Sequence, residues 1–162
     1  MKQALTFAIL ILFASASLAQ ERGPSTNLPL PRYVSLKASK ANVRRGPSKT
    51  HGIDWVFTHR GMPLQITAEH GHWRRARNQN GVGGWIYYTL LSGKRTIIVQ
   101  HDMLEMKSSP MPNALVKAKL EPGVVAKIEK CEKDWCRISV ERYKGWVEKK
   151  HVWGVGPDEI ID

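Results

Sequence analysis

Two short stretches of the chain alternate apolar or small side chains with polar ones at a period of two: Trp73-Arg74-Arg75-Ala76-Arg77 and Trp135-Cys136-Arg137-Ile138-Ser139-Val140. That period marks a strand with one buried face. Asn78-Gln79-Asn80-Gly81 follows the first stretch and Glu141-Arg142-Tyr143-Lys144 the second. Asn80 and Gly81 both tolerate positive φ, so they predict a tight turn. Gly84 and Gly145 then open a returning strand just before a tryptophan, where a missing side chain lets two backbones approach closely. No segment from Tyr33 to Gly154 carries an apolar stripe of helical period with caps. The pattern predicts an all-β protein.

The strand pattern occurs twice. Gly61-Met62-Pro63-Leu64-Gln65-Ile66 and His72-Trp73-Arg74 match Gly123-Val124-Val125-Ala126-Lys127-Ile128 and Asp134-Trp135-Cys136 at an offset of 62. Gly84-Trp85-Ile86 matches Gly145-Trp146-Val147 at 61. The single lost residue falls in the predicted turn, where length is freest. The expected organisation is therefore copy one over 33–93, a linker over 94–103, copy two over 104–156 and an acidic tail over 157–162. Residues 20–32, rich in proline and small polar residues, are expected as a linker or disordered arm.

One apolar run obeys neither period. Ala4–Ala14 follows Met1-Lys2-Gln3 and precedes Ser15-Ala16-Ser17-Leu18-Ala19, with small residues three before and one before a cut after Ala19. This predicts a secretory signal peptide over 1–19, because the run is about half the roughly 20 residues that a membrane span needs. Export places the mature chain in the periplasm or outside the cell, with no transmembrane anchor in the mature part. In that setting Cys131 and Cys136, the only cysteines, read as a disulfide across a strand–turn–strand corner. Closing so short a loop contributes about 2 kcal/mol in the chain-entropy description.

Charge separates the copies. From Tyr33 to Gly93 there are nine Lys or Arg against Asp54 and Glu69, whereas Leu104 to Trp153 holds eleven against seven. For an exported chain this balance favours anionic envelope polymers over nucleic acid as partners. It points to copy one as the place to look for a ligand.

The element Asn42-Val43-Arg44-Arg45-Gly46-Pro47, followed by the Gly61 turn, Trp73 and Gly84-Trp85-Ile86, resembles the bacterial SH3-like family. Copy two keeps Gly123, Trp135 and Gly145-Trp146-Val147, but its opening Met106-Lys107-Ser108-Ser109-Pro110 has drifted. The resemblance implies two tandem small SH3-like β-barrels that serve as binding or targeting modules.

No constellation in the sequence proposes a reaction, a cofactor or a metal site. His70-Gly71-His72 is the only close histidine pair, and Gly71 places it in a turn rather than on one strand face. Asp54 and Glu69 are the only acids of copy one, too few to suggest a carboxylate pair flanking a sugar. The tryptophans present in both copies read as framework. Residues found in only one copy are the better ligand candidates: one of Tyr87 and Tyr88 should face outward, where a ring beside Arg44, Arg45, Arg74, Arg75 or Arg77 could stack on a sugar or peptide plane while the guanidinium groups hold carboxylate or phosphate. The expected role is a non-catalytic periplasmic module that binds an anionic polymer such as peptidoglycan; the alternative is an adaptor for an envelope protein.

Overall fold

The structure is a computed structural model describing residues 20–162; the segment expected as a signal peptide lies outside the described residues. The strands are β1 (Arg32–Leu36), β2 (Ala41–Arg44), β3 (Ile53–Phe57), β4 (Pro63–His70), β5 (Trp73–Arg77), β6 (Gly83–Tyr87) and β7 (Leu91–Ser92). The second set is β8 (Thr96–Val99), β9 (Leu104–Lys107), β10 (Val116–Leu120), β11 (Val125–Cys131), β12 (Trp135–Val140), β13 (Tyr143–Glu148) and β14 (Val152–Trp153). One 3-10 turn precedes the last strand of each set, Tyr88–Leu90 and Lys149–His151.

Two antiparallel sheets result, ordered β3-β2-β6-β5-β4-β1-β7 and β10-β9-β13-β12-β11-β8-β14. The orders are identical once seven is added to each strand of the first. Each sheet folds over its own apolar face: Val34, Leu36, Val43, Leu64, Ile66 and Ile86 form one core, and Ile97, Val99, Met106, Ile128, Ile138 and Val147 the other.

Closed barrels were the expectation, but each ladder is open and ends at β3 and β7, or at β10 and β14. Two-residue strands such as β7 and β14 are too short to carry the pairing around to the far edge.

The glycines shared by both copies explain the repeat. Gly61 and Gly123 adopt φ of 84° and 87°, a turn conformation that a side chain disfavours. Gly84 and Gly145 lie against a neighbouring strand. A Cβ on Gly84 would stand 2.6 Å from the Arg44 carbonyl oxygen, and one on Gly145 2.6 Å from that of Lys107.

The boundaries shift from those expected. Residues 94–103 are not a free linker, because Thr96-Ile97-Ile98-Val99 forms β8, with Ile97 and Val99 in the core. These residues occupy in copy two the place that Val34 and Leu36 occupy in copy one. Residues 20–32 are not a disordered arm either. Arg22 bridges to Pro29, Leu30 is buried, and the segment docks on Glu69. The acidic tail is likewise tied down, with Ile161 and Cys131 exchanging both backbone hydrogen bonds at 2.7 and 3.0 Å.

Both anchor points fall on one position of the repeat. Glu69 and Arg74 face each other across β4 and β5 as Cys131 and Cys136 do across β11 and β12, again at an offset of 62. Copy two closes this corner with the Cys131–Cys136 disulfide, whose two residues are fully buried. Copy one closes it with charge. Oε1 of Glu69 accepts from Arg32 Nη2 at 2.7 Å and Thr26 Oγ1 at 2.7 Å, and lies 3.5 Å from Arg74 Nε. Oε2 accepts from the backbone N–H groups of Ser25 and Thr26. Burial alone would raise the Glu69 pKa; the hydrogen bonds from Thr26, Arg32 and Ser25 outweigh it and hold the pKa below the ordinary value. Titration of the oxidised protein with a thiol reagent under denaturing conditions is expected to find no free thiol, and two reactive thiols would contradict the pairing.

The copies contact each other. Three residues separate β7 from β8, and Thr96 Oγ1 donates to the Gly61 carbonyl at 2.6 Å. Tyr33 meets Trp153 edge-on at 5.2 Å between ring centroids. Arg95 lies 5.6 Å over the Tyr33 ring and pairs with Glu159 of the C-terminal segment.

Candidate functional site

On β5, Arg74 and Ala76 turn inward, so Trp73, Arg75 and Arg77 share the outer face. On β6, Ile86 is inward and Trp85 and Tyr87 are outward; on β2, Ala41 and Val43 are inward and Asn42 and Arg44 outward. Register brings these sets together. Trp73 stands opposite Tyr87, Arg75 opposite Trp85, and Arg44 opposite Trp85 from the other side. The outer face of copy one is thus a band of aromatic rings interleaved with guanidinium groups.

A groove of about 580 Å³ opens along this band. Trp73 and Tyr87 form its aromatic wall, edge to face at 5.4 Å and 78°. Lys40, Arg44 and Lys49 surround the rings, with Asn42 and Thr89 as neutral polar groups, and no carboxylate lines it. Arg44 is steadied by a 2.7 Å bond from Nη1 to the His51 carbonyl. Three cations around two ring faces can hold a carboxylate or phosphate while a ring stacks on a flat or pyranose surface.

The predicted ligand residues divide. Arg44 and Tyr87 meet in the groove, and Arg75 and Arg77 lie on the same face, Arg77 binding Gln65 through Nε and Nη2 at 2.9 and 2.7 Å. Arg45 is on the following hairpin, paired with Asp54 at 2.6 Å. Arg74 is buried and faces Glu69, with Nη1 donating to the carbonyls of Gly71 and Trp73. Tyr88 falls beyond the end of β6 in the 3-10 turn, where it stacks on His72 at 5.4 Å. The sequence reading did not single out Lys40, Lys49 and Trp73 for binding. Lys40 was legible, since 40, 42 and 44 share one face of an extended chain.

A family model described as a bacterial SH3 domain matches twice, over residues 37–93 and 100–154. The chain belongs to the bacterial SH3 domain family. This is a family of binding domains, generally without catalytic activity. Among curated proteins none matches. Among solved structures, NlpC2 of Trichomonas vaginalis is similar at 11% identity and a TM-score of 0.36, with 75% of this chain and 47% of that one covered. NlpC1 of the same organism is similar at 10% identity and a TM-score of 0.37, with 82% and 49% covered. The chain thus spans about half the length of those proteins.

The second bacterial SH3 unit has a groove at the equivalent place, and most of its lining positions correspond. Trp135 replaces Trp73 and Lys107 replaces Arg44, while Glu105 stands at the place of Asn42, Glu148 at that of Tyr87 and Pro112 at that of Lys49. Its volume is about 290 Å³. The Lys107 ammonium is bound by Glu105 at 2.8 Å and by the Pro112 carbonyl at 2.8 Å, so the one cation of this groove is neutralised from within. His101 and His151 lie at its end, 4.3 Å apart between ring centroids. Burial, then the nearby His101 and Lys150, lower the His151 pKa below its ordinary value. Among the described residues no group of three His, Cys, Asp or Glu side chains is placed to hold a metal ion. No helix among them is long and apolar enough to cross a membrane.

Proposed function

We propose that the protein is a non-catalytic binding module of the bacterial cell envelope whose first SH3 unit holds an anionic polymer such as peptidoglycan in the groove between Trp73 and Arg44. The observation that carries this reading is the lining itself, three cations around two rings with no acid among them. The family is one of binding domains, and the signal-peptide pattern of residues 1–19 accords with export to the periplasm or beyond. The second unit, with its groove cation already paired, serves as scaffold.

Co-sedimentation with purified sacculi tests this. The mature protein is expected to pellet at low salt and less completely near physiological salt, since exposed charges are screened over about 8 Å there. The double variant Arg44→Gln/Lys49→Gln should bind about tenfold more weakly, a loss of about 1.4 kcal/mol. If the wild type pelleted no better than a neutral control protein at low salt, the proposal would fail.

A further inference from the structure

The two sheets end on equivalent edges, β3 and β10, and the two edges are built differently. Each pairs with a single neighbour, β2 or β9, and leaves its other side open. An open edge presents unpaired backbone N–H and C=O groups to any passing strand, and natural sheets commonly blunt it with lysine. The β10 edge follows this rule: its sequence is Val116-Lys117-Ala118-Lys119-Leu120. The matching residues of β3 are Ile53-Asp54-Trp55-Val56-Phe57. Both lysines are gone, and a tryptophan stands where β10 has alanine.

Three large apolar side chains along β3 are consequently exposed. Ile53, Trp55 and Val56 retain 47%, 52% and 43% of their accessible surface. The charge on this edge is already spent, because Asp54 is bound by Arg45. The surroundings are basic: Arg44 lies on the adjoining strand, Lys49 in the loop joining it to β3, and Arg60 shortly after its end. The only other acid of copy one, Glu69, is buried beneath the N-terminal segment. A second copy of this chain would bring the same positive surface to the edge and be repelled.

We infer that β3 is a docking edge for an extended, acidic segment of a partner protein, which adds as an eighth strand with an apolar side chain against Trp55. Backbone hydrogen bonds along β3 supply affinity, and the flanking cations select glutamate- or aspartate-bearing strands over basic ones. This edge adjoins the polymer groove, since Arg44 and Lys49 border both, but the backbone pairing along β3 and the contact with Trp55 use no residue of the groove's aromatic wall.

The test uses fluorescein-labelled acetyl-(Glu-Val)4-amide as probe and acetyl-(Lys-Val)4-amide as control, with anisotropy read near physiological salt. Saturable one-to-one binding of the acidic peptide alone is expected. Asp54→Lys/Val56→Lys, which gives β3 the residues of β10, should weaken it at least tenfold although it adds positive charge. A purely electrostatic association would instead strengthen. Trp55→Ala should cost a similar factor. Both variants change exposed residues, and unchanged thermal melting would confirm an intact fold; Trp55→Ala, which alters no charge, should also leave sedimentation on sacculi unchanged. The inference is overturned by absence of saturable binding, by equal binding of the basic peptide, by undiminished affinity in the double variant, or by self-association through β3 in sedimentation velocity.

Discussion

Replacing Glu69 by alanine is expected to destabilise copy one by about 3–5 kcal/mol, the cost of breaking a buried ion pair by removing one partner. The Glu69 side chain is fully buried, and its loss strips Arg32, Arg74, Thr26 and two backbone N–H groups of their shared acceptor. A unit of this size has roughly 3–5 kcal/mol in hand, so the substitution brings copy one to the edge of unfolding. Trypsin should then cut rapidly after Arg22, which the docked N-terminal segment protects. Glu69→Gln, which keeps one acceptor oxygen but loses the charge, should fall between the two.

The same carboxylate sets a pH dependence whose sign follows from its lowered pKa. The unfolded chain protonates a glutamate near about pH 4.3, the folded one at lower pH. The stabilisation is therefore complete above the unfolded value and is lost as pH falls through the folded value. Denaturant midpoints measured downward from pH 6 should decline below about pH 4.5 in the wild type, and this component should be missing in Glu69→Gln.

The second large effect is expected from Gly84→Ala. The added methyl would meet the Arg44 carbonyl at 2.6 Å and Val43 Cγ1 at 3.0 Å, so β6 must move away from β2. Overpacking of this kind costs roughly 1–3 kcal/mol, and contact with backbone rather than a pliable side chain places this case at the top of that range. For a unit of about 60 residues this lowers the melting temperature by roughly 20–25 °C. The displacement also separates Arg44 from Trp85, its register partner, so binding to sacculi should fall even at temperatures where the variant remains folded. Differential scanning fluorimetry and co-sedimentation at 4 °C read the two effects separately; an unchanged melting temperature would contradict the close approach.

Much of the fold was legible because period-two alternation and turn glycines are local signals. Trp73–Arg77, Trp135–Val140 and the two Gly-Trp elements all became strands where the pattern put them. What escaped was set by distant contacts. Residues 20–32 lack periodicity, and distant contacts give them a place: the Glu69 carboxylate, more than 40 positions from Ser25 and Thr26, and the core of copy one that buries Leu30. Thr96–Val99 is short, and Ile98 breaks a clean alternation, though the run of β-branched residues was a readable strand signal. The openness of the sheets depends on how far β7 and β14 run, which alternation cannot show.

At the candidate site, alternation along β2, β5 and β6 puts Arg44, Arg75, Arg77 and Tyr87 on one outward surface. Arg74 was misplaced. Period-two alternation puts Arg74 on the inward face of β5, and the repeat aligns it with Cys136 and Glu69 with Cys131. An arginine and a glutamate standing where the other copy has a cystine are most simply partners. Tyr88, the other candidate ring, leaves the strand face, since β6 ends at Tyr87 and the alternation rule ends with it.

That shared corner position gives the two units different vulnerabilities. The fastening of copy one holds the N-terminal segment and yields to protons; that of copy two braces the strand on which the C-terminal segment pairs and yields to electrons. Acid should release the N-terminal segment at Glu69, and a reductant should open the corner beneath the C-terminal segment at Cys131. Neither stress alone undoes both fastenings.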